Sequence, residues 1–87
     1  MKISRTENFK KDYNNLPQDV KKSTNKQIVQ LLMDYRHPSL NLERILSFRD
    51  VYSVRVNIQY RMSLYFDGKD EMILRRVLNH DELYKNP

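Results

Sequence analysis

The chain has no cysteine and no tryptophan, and only one glycine and three prolines in 87 residues. Without cysteine there is no disulfide framework, no thiolate metal site and no cysteine nucleophile. With so few breakers, no linker, internal repeat or low-complexity segment is visible. Long apolar runs are lacking too: none exceeds three residues, as in Leu31-Leu32-Met33, which excludes a membrane-spanning helix. The stretch from Met1 to Tyr13 has no apolar segment of the kind a secretory signal needs, so the expected compartment is the cytoplasm. What is present fits one small domain over residues 1–87. Its 39% apolar and 31% charged residues are ordinary for a globular chain and too apolar for a disordered one.

Charge is the first positive signal. Sixteen Lys and Arg against eleven Asp and Glu give +5, which favours a polyanionic partner, most commonly a phosphate backbone. The excess is spread: residues 1–42 carry +4, residues 43–80 carry +2 and residues 81–87 carry −1. Lys10, Lys11, Lys21, Lys22 and Lys26 fall off the apolar stripes and fit a solvated helix face.

Periodicity divides the chain at Pro38. Before it, Lys2–Arg5 fits a short strand, Ser4 and Glu7 have the spacing of a capping box, and Phe9, Tyr13 and Leu16 recur at helical spacing. Pro17 separates that helix from a second, whose stripe is Val20, Thr24, Ile28, Leu31, Leu32 and Tyr35. After Pro38 the period becomes two, in Tyr52–Asn57 and Tyr60–Phe66, with flanking strands at Leu42–Phe48 and Glu71–Leu78 and a hairpin signal at Asp67-Gly68. The expected class is α+β: a β-α-α-β-β-β-β order, with a helical hairpin packed on an antiparallel sheet of three to four strands.

Register turns this into a site. With Tyr52, Val54, Val56, Tyr60, Met62, Leu64 and Phe66 facing the helices, a three-residue connection pairs Asn57 with Arg61 and Arg55 with Ser63. The same parity sets Phe66 opposite Met72, Ser63 opposite Arg75, Phe48 opposite Tyr52 and Glu43 opposite Asn57. The outward face then carries one row of Glu43, Asn57, Arg61 and Val77 beside a row of Ile45, Arg55, Ser63 and Arg75. Three arginines in adjacent rows repel one another unless an anion sits among them, and strands about 4.8 Å apart let them converge on one phosphate. The plainer alternative is a solvated face whose arginines splay into water or pair with Glu43. In the last segment, Leu83 is expected to pack the chain back on the sheet, leaving His80 and Tyr84 near these rows. Histidine suits proton transfer near neutral pH, although a lone histidine also serves as a cap. His37, before Pro38, fits a structural role.

The ordered set Phe9-Lys-Lys-Asp-Tyr13, Leu16-Pro17, Arg36-His-Pro-Ser-Leu40, Tyr52-Ser-Val-Arg-Val-Asn57, Tyr60-Arg61 and His80-Asp-Glu-Leu-Tyr84 resembles the RelE/ParE superfamily of bacterial toxins over nearly the whole chain. The Arg-His-Pro-Ser-Leu segment and the tail look more like its RelE and YafQ side. The resemblance implies the toxin of a type II toxin–antitoxin system, a ribosome-dependent mRNA endonuclease that inhibits translation and is held in check by a cognate antitoxin. It implies Arg61 as the transition-state arginine, Arg55 on the scissile phosphate, His80 as general acid, Glu43 as base and Tyr84 stacked on a base. Arg75 joins the RNA contacts on register alone, and Arg44, beside Glu43, is counted with them. These residues suit cleavage by the RNA's own 2′-hydroxyl. No carboxylates or histidines stand at metal-ligand spacing, so neither a metal nor another cofactor is expected, and no membrane is a partner. Two alternatives stay open: a ParE-type DNA gyrase poison, and a decayed, non-catalytic antitoxin-binding module.

Overall fold

A computed structural model describes all residues, 1–87. Strand β1 (Lys2–Arg5) leads into helices α1 (Glu7–Asn14) and α2 (Gln18–Met33). A 3-10 turn at Pro38–Leu40 precedes β2 (Glu43–Arg44), β3 (Tyr52–Arg55), β4 (Tyr60–Asp67) and β5 (Glu71–Asn79), and a closing helix α3 (His80–Lys85). The α+β class and the helical hairpin on a sheet are as periodicity predicts. The sheet is larger than expected, with five strands in the order β1-β5-β4-β3-β2. β2 to β5 form the antiparallel meander, and β1 adds beyond β5 as a parallel neighbour, pairing Lys2 with Glu71 through Arg5 with Leu74.

That pairing moves the start of α1. Ser4 does not cap it, because the strand runs on through Arg5 and the Ser4 hydroxyl donates to the Glu71 carboxylate. Thr6 is the cap, its Oγ1 accepting from the Phe9 N–H at 3.1 Å. Pro17 caps α2, whose buried stripe is Val20, Thr24, Gln27, Ile28 and Leu31. Leu32, expected inside, is half exposed, and Gln27 takes the inward place beside Ile28. Phe9, Leu16, Ile28 and Leu31 pack on Val54, Val56, Met62, Leu64, Met72, Leu74 and Val77 to form the core, with Tyr52, Tyr60 and Phe66 at its margin.

Two departures from ideal pairing shape the sheet. First, the strand expected over Leu42–Phe48 shrinks to Glu43–Arg44. Ile45 bonds Val51 across the ladder, Phe48 N–H turns back to the Ile45 carbonyl, and Asp50 adopts a left-handed φ of 60°. Leu46–Asp50 is therefore a loop, and Ile45 keeps the outward parity of Glu43 but is buried there instead of exposed. Second, the β4–β5 ladder slips between Ser63 and Leu64. Phe66 stands opposite Met72 as expected, but beyond the slip Ser63 meets Arg76 and Met62 meets Val77. One extra residue in β5 thus leaves Arg75 and Arg76 consecutively off the core and turns Val77, expected outward, into it.

α1 lies along the length of β5 that β1 does not reach and satisfies the groups this bulge frees. Thr6 Oγ1 donates to the Arg75 carbonyl at 2.8 Å. The Asp12 carboxylate accepts from Arg76 Nε at 2.7 Å, Arg76 Nη2 at 3.0 Å and the Val77 N–H at 3.2 Å. The hydrogen bond to Asp12 holds the Arg76 guanidinium protonated even more firmly than arginine ordinarily is. Charge-assisted hydrogen bonds each contribute about 1.5–3 kcal/mol. Asp12→Ala should therefore lower unfolding stability by about 2–4 kcal/mol in urea titrations. An unchanged midpoint would show that water replaces the carboxylate at no cost.

Candidate functional site

Alternation along β3 and β4 sends Val54, Met62 and Leu64 into the core and leaves Ser53, Arg55, Arg61, Ser63 and Tyr65 on the sheet's other face. The helix-facing assignment holds, but the register of the two strands is two residues from the expected one. Arg55 stands directly opposite Arg61, and Ser53 opposite Ser63. The cause lies in the connection. Asn57 Oδ1 accepts from the N–H groups of Gln59 at 2.9 Å and Tyr60 at 2.8 Å, closing a side-chain turn. The loop is thereby Asn57–Gln59 and not Ile58–Tyr60. The two guanidinium groups start from backbone positions only about 5 Å apart, closer than the expected arrangement placed them.

The other expected members distribute unevenly. Glu43 stands opposite Ser53, so it shares the outward face but lies two positions along β3 from Arg55. Arg44 stands opposite Tyr52, on the helix-side face at the sheet's outer edge, and does not join the arginine pair. Arg75 is on the outward face, but its guanidinium lies over the Tyr65 ring at 5.9 Å and its Nε donates to the Pro87 carbonyl at 3.1 Å. It braces the tail, and Arg76 rather than Arg75 meets Ser63. The lysine cluster belongs to the opposite side of the molecule, where Lys10 pairs with Glu7 and Lys21 lies over Tyr13.

The tail supplies the rest. Asn79 accepts from the Asp81 N–H and starts α3, while His80 N–H donates to the Gln59 carbonyl at 2.7 Å. Leu83 is fully buried, as the sequence predicts. Tyr84 OH lies 3.1 Å from Ser53 Oγ, so α3 begins at the end of β5 and reaches β3. β4 is the strand between, and the helix passes over its outward residues. The His80 and Tyr84 rings meet edge to face with centroids 4.8 Å apart. His80 Nδ1 is 3.4 Å from Asp81 Oδ1, and half of its side chain is open to solvent. Tyr84 thus reaches the outward face at Ser53, and His80 packs against Tyr84.

Beneath this helix two polar atoms are shut off from solvent without a hydrogen-bond partner, Arg61 Nη1 and Ser63 Oγ. No ion pair in the molecule involves Arg55, Arg61 or Glu43. A buried, uncompensated guanidinium nitrogen is destabilising unless a counter-charge completes it. Arg55 is held from behind: the buried Gln27 amide donates to the Ser39 carbonyl at 3.1 Å and to the Arg55 carbonyl at 2.8 Å. The surroundings form an open face and not a cavity. The largest cleft, about 430 Å³, lies between α1 and α2 and is lined by Arg5, Phe9, Lys10, Tyr13, Asn14, Asn25 and Ile28, none of them an expected site residue. No three His, Asp or Glu side chains converge on one point.

The sequence pattern puts Ser63 on the outward face but gives no place at the site to Gln27 or Ser53. Gln27 was legible as an amide beside the apolar stripe of a helix. The two serines alternate with core residues on neighbouring strands, a pattern that leaves room for a helix to lie close.

No protein-family model and no curated protein matches this sequence. Solved structures do match. The chain has the RelE fold. It is similar to a chain of the RelB–RelE antitoxin–toxin complex from Methanococcus jannaschii, with 23% identity, a TM-score of 0.73 and coverage of 97% of this chain and 98% of that one. A YoeB/ParE toxin from Agrobacterium tumefaciens gives 15% identity and a TM-score of 0.74 over 92% and 99% of the two chains. YafQ from E. coli gives 18% and 0.71 over 93% and 94%. The α+β expectation and the RelE-like architecture are thereby established.

The unpartnered guanidinium yields a stability prediction. Arg61→Met, which keeps the length and removes the charge, should unfold at a urea concentration equal to or above that of the parent. Inorganic phosphate should raise the thermal midpoint of the parent more than that of the variant, since a ligand bound only by the folded state stabilises it. Equal shifts in both proteins would remove Arg61 from anion binding.

Proposed function

We propose that this chain is the toxin of a type II toxin–antitoxin system and an endoribonuclease that cuts mRNA on the ribosome. The observation that carries the proposal is the Arg55–Arg61 pair on an open face, with one guanidinium nitrogen of Arg61 buried and unpartnered. Such a face suits an extended polyanion better than an enclosed small molecule. The likeness to solved toxins, at identities of 13–23%, supports the fold on which this chemistry is placed. Several neighbours were solved with an antitoxin, among them the DinJ–YafQ complex of E. coli, and the same kind of partner is proposed here.

The mechanism follows from the residues. A base, with Glu43 as candidate, takes the proton of a ribose 2′-hydroxyl, and O2′ attacks the adjacent phosphorus. Negative charge builds on the phosphorane oxygens, where Arg61 and Arg55 stabilise it because they are positioned before the reaction begins. The P–O5′ bond breaks, leaving a cyclic phosphate, and His80 gives its proton to the departing oxygen. Tyr84, packed edge-on to His80 and hydrogen-bonded to Ser53, fixes the orientation of the imidazole and presents a ring to a neighbouring base. Arg75 supports this by holding the tail, and any RNA contact it makes is at the margin. A gyrase poison would have no use for an unpaired guanidinium under α3, and a decayed module would have no reason to keep one.

Primer extension on an mRNA, translated with and without the purified protein, tests the proposal. Cuts should appear only when ribosomes are present, and Arg61→Ala should abolish both cleavage and growth arrest while retaining cooperative unfolding. Inhibition of gyrase supercoiling without any cut would overturn it in favour of the ParE-type alternative. For the acid, His80→Ala should slow single-turnover cleavage on programmed ribosomes by about 10²–10⁴ with little change in RNA affinity. Cleavage at the parental rate would make His80 a purely structural residue at the start of α3.

A further inference from the structure

The loop joining β3 to β4 is short, rigid and tipped by an exposed apolar residue. Ile58 is 85% exposed. Five hydrogen bonds fix its neighbours: two N–H groups on Asn57 Oδ1, the N–H groups of Val56 and Asn57 on the Tyr60 carbonyl at 3.0 and 3.2 Å, and the His80 N–H on the Gln59 carbonyl at 2.7 Å. The last of these joins the loop to the first residue of α3. Ile58 is β-branched, so its side chain has few rotamers to lose on contact. It stands three residues from both Arg55 and Arg61, at most about 10 Å along the backbone from each. A shallow hollow of about 280 Å³ is lined by Asn57, Ile58 and Gln59 alone.

Exposed apolar residues are common and usually need no explanation. Leu46, at 93% exposure, is one of them: it lies in the β2–β3 loop, at the other end of the sheet from the arginine pair. Ile58 differs in being held by hydrogen bonds at the end of the sheet that carries Arg55, Arg61 and the start of α3. An apolar side chain flanked by cations matches a nucleotide, whose phosphate carries the charge and whose base offers a flat apolar surface. Apolar wedges placed against bases are a recurrent device of nucleic-acid-binding proteins.

We infer that Ile58 is a nucleobase contact, packing on the base next to the phosphate held by Arg55 and Arg61 and so helping to fix where the RNA is cut. This rests on the RNA-cleaving function proposed above. The contact contributes to binding and to cut position; the chemical step belongs to the arginines and the tail.

The absence of native tryptophan makes the test direct. Ile58→Trp and Leu46→Trp each install a single fluorophore at an open position. The probe is a single-stranded oligonucleotide of 2′-O-methyl ribonucleotides, which lacks the attacking hydroxyl, with binding followed by anisotropy of a terminal dye at low salt. Binding should depend on Arg61, quench the emission of Ile58→Trp at least about two-fold through stacking, and leave Leu46→Trp unchanged. On programmed ribosomes Ile58→Ser should spread the cuts over neighbouring positions, whereas Leu46→Ser keeps the parental pattern. If the oligonucleotide binds through Arg61 but both tryptophans respond alike, or neither responds, Ile58 is ordinary surface and the inference falls while the proposed function stands. If binding does not depend on Arg61, the proposed site itself fails and the inference with it.

Discussion

The single extra residue in β5 is the constraint on which the rest of the molecule depends. It divides the strand into a part that pairs with β1 and a part that α1 must complete. With Arg75 and Arg76 both off the core, the backbone there needs partners from outside the ladder, and Thr6 and Asp12 supply them. The acid and base of that junction are thus consumed in holding the fold. Because the bulge also returns Val77 to the helix side, the core continues to the end of β5 and delivers the chain, at His80, to the opposite face.

That delivery makes the outward face more than a solvated sheet surface. A six-residue helix anchored by Leu83 and by the Tyr84–Ser53 contact lies across β4, the strand on which one nitrogen of Arg61 is closed to solvent. The two serines beneath it keep the distance short. Without α3 the guanidinium groups would be two more exposed cations, hydrated and interchangeable. With it, one guanidinium nitrogen of Arg61 is shut off from solvent and finds no hydrogen-bond partner in the chain.

Much of this was legible in the sequence, for identifiable reasons. The class, the helix-facing residues of β3 and β4, the β4–β5 hairpin and the anchoring role of Leu83 follow from periodicity and from the one glycine, whose φ of 68° the turn requires. Parity also held, so Arg55 and Arg61 fell on the correct face even though their partners were misplaced by two residues. What failed was everything that depended on counting through irregular backbone. The Asn57 turn shifted β3 against β4, the Leu46–Asp50 loop shifted Glu43, and the bulge exchanged Arg75 for Arg76 and moved Val77 inside. Arg44 faces away from Glu43, since neighbours on a strand point opposite ways. The strand Lys2–Arg5 was legible with its bounds, but its place as a fifth, parallel edge strand was not, because that place is set by a distant partner and not by its own pattern.

The parallel pairing of β1 with β5 also governs the order in which the molecule can be assembled. Residues 2–5 are made first but find their neighbours at 71–74 only near the end of synthesis. Contacts between segments so distant along a chain form slowly. Until then β1 has no edge to join, and Asp12 has no guanidinium. β2, β3 and β4, by contrast, are joined by short connections and can pair as soon as residue 67 has been made. The two facing arginines are therefore brought together early by local contacts. The strand that closes the fold and the helix that shields them arrive last and together, so a nascent or truncated chain carries an open cationic face without the scaffold to keep it.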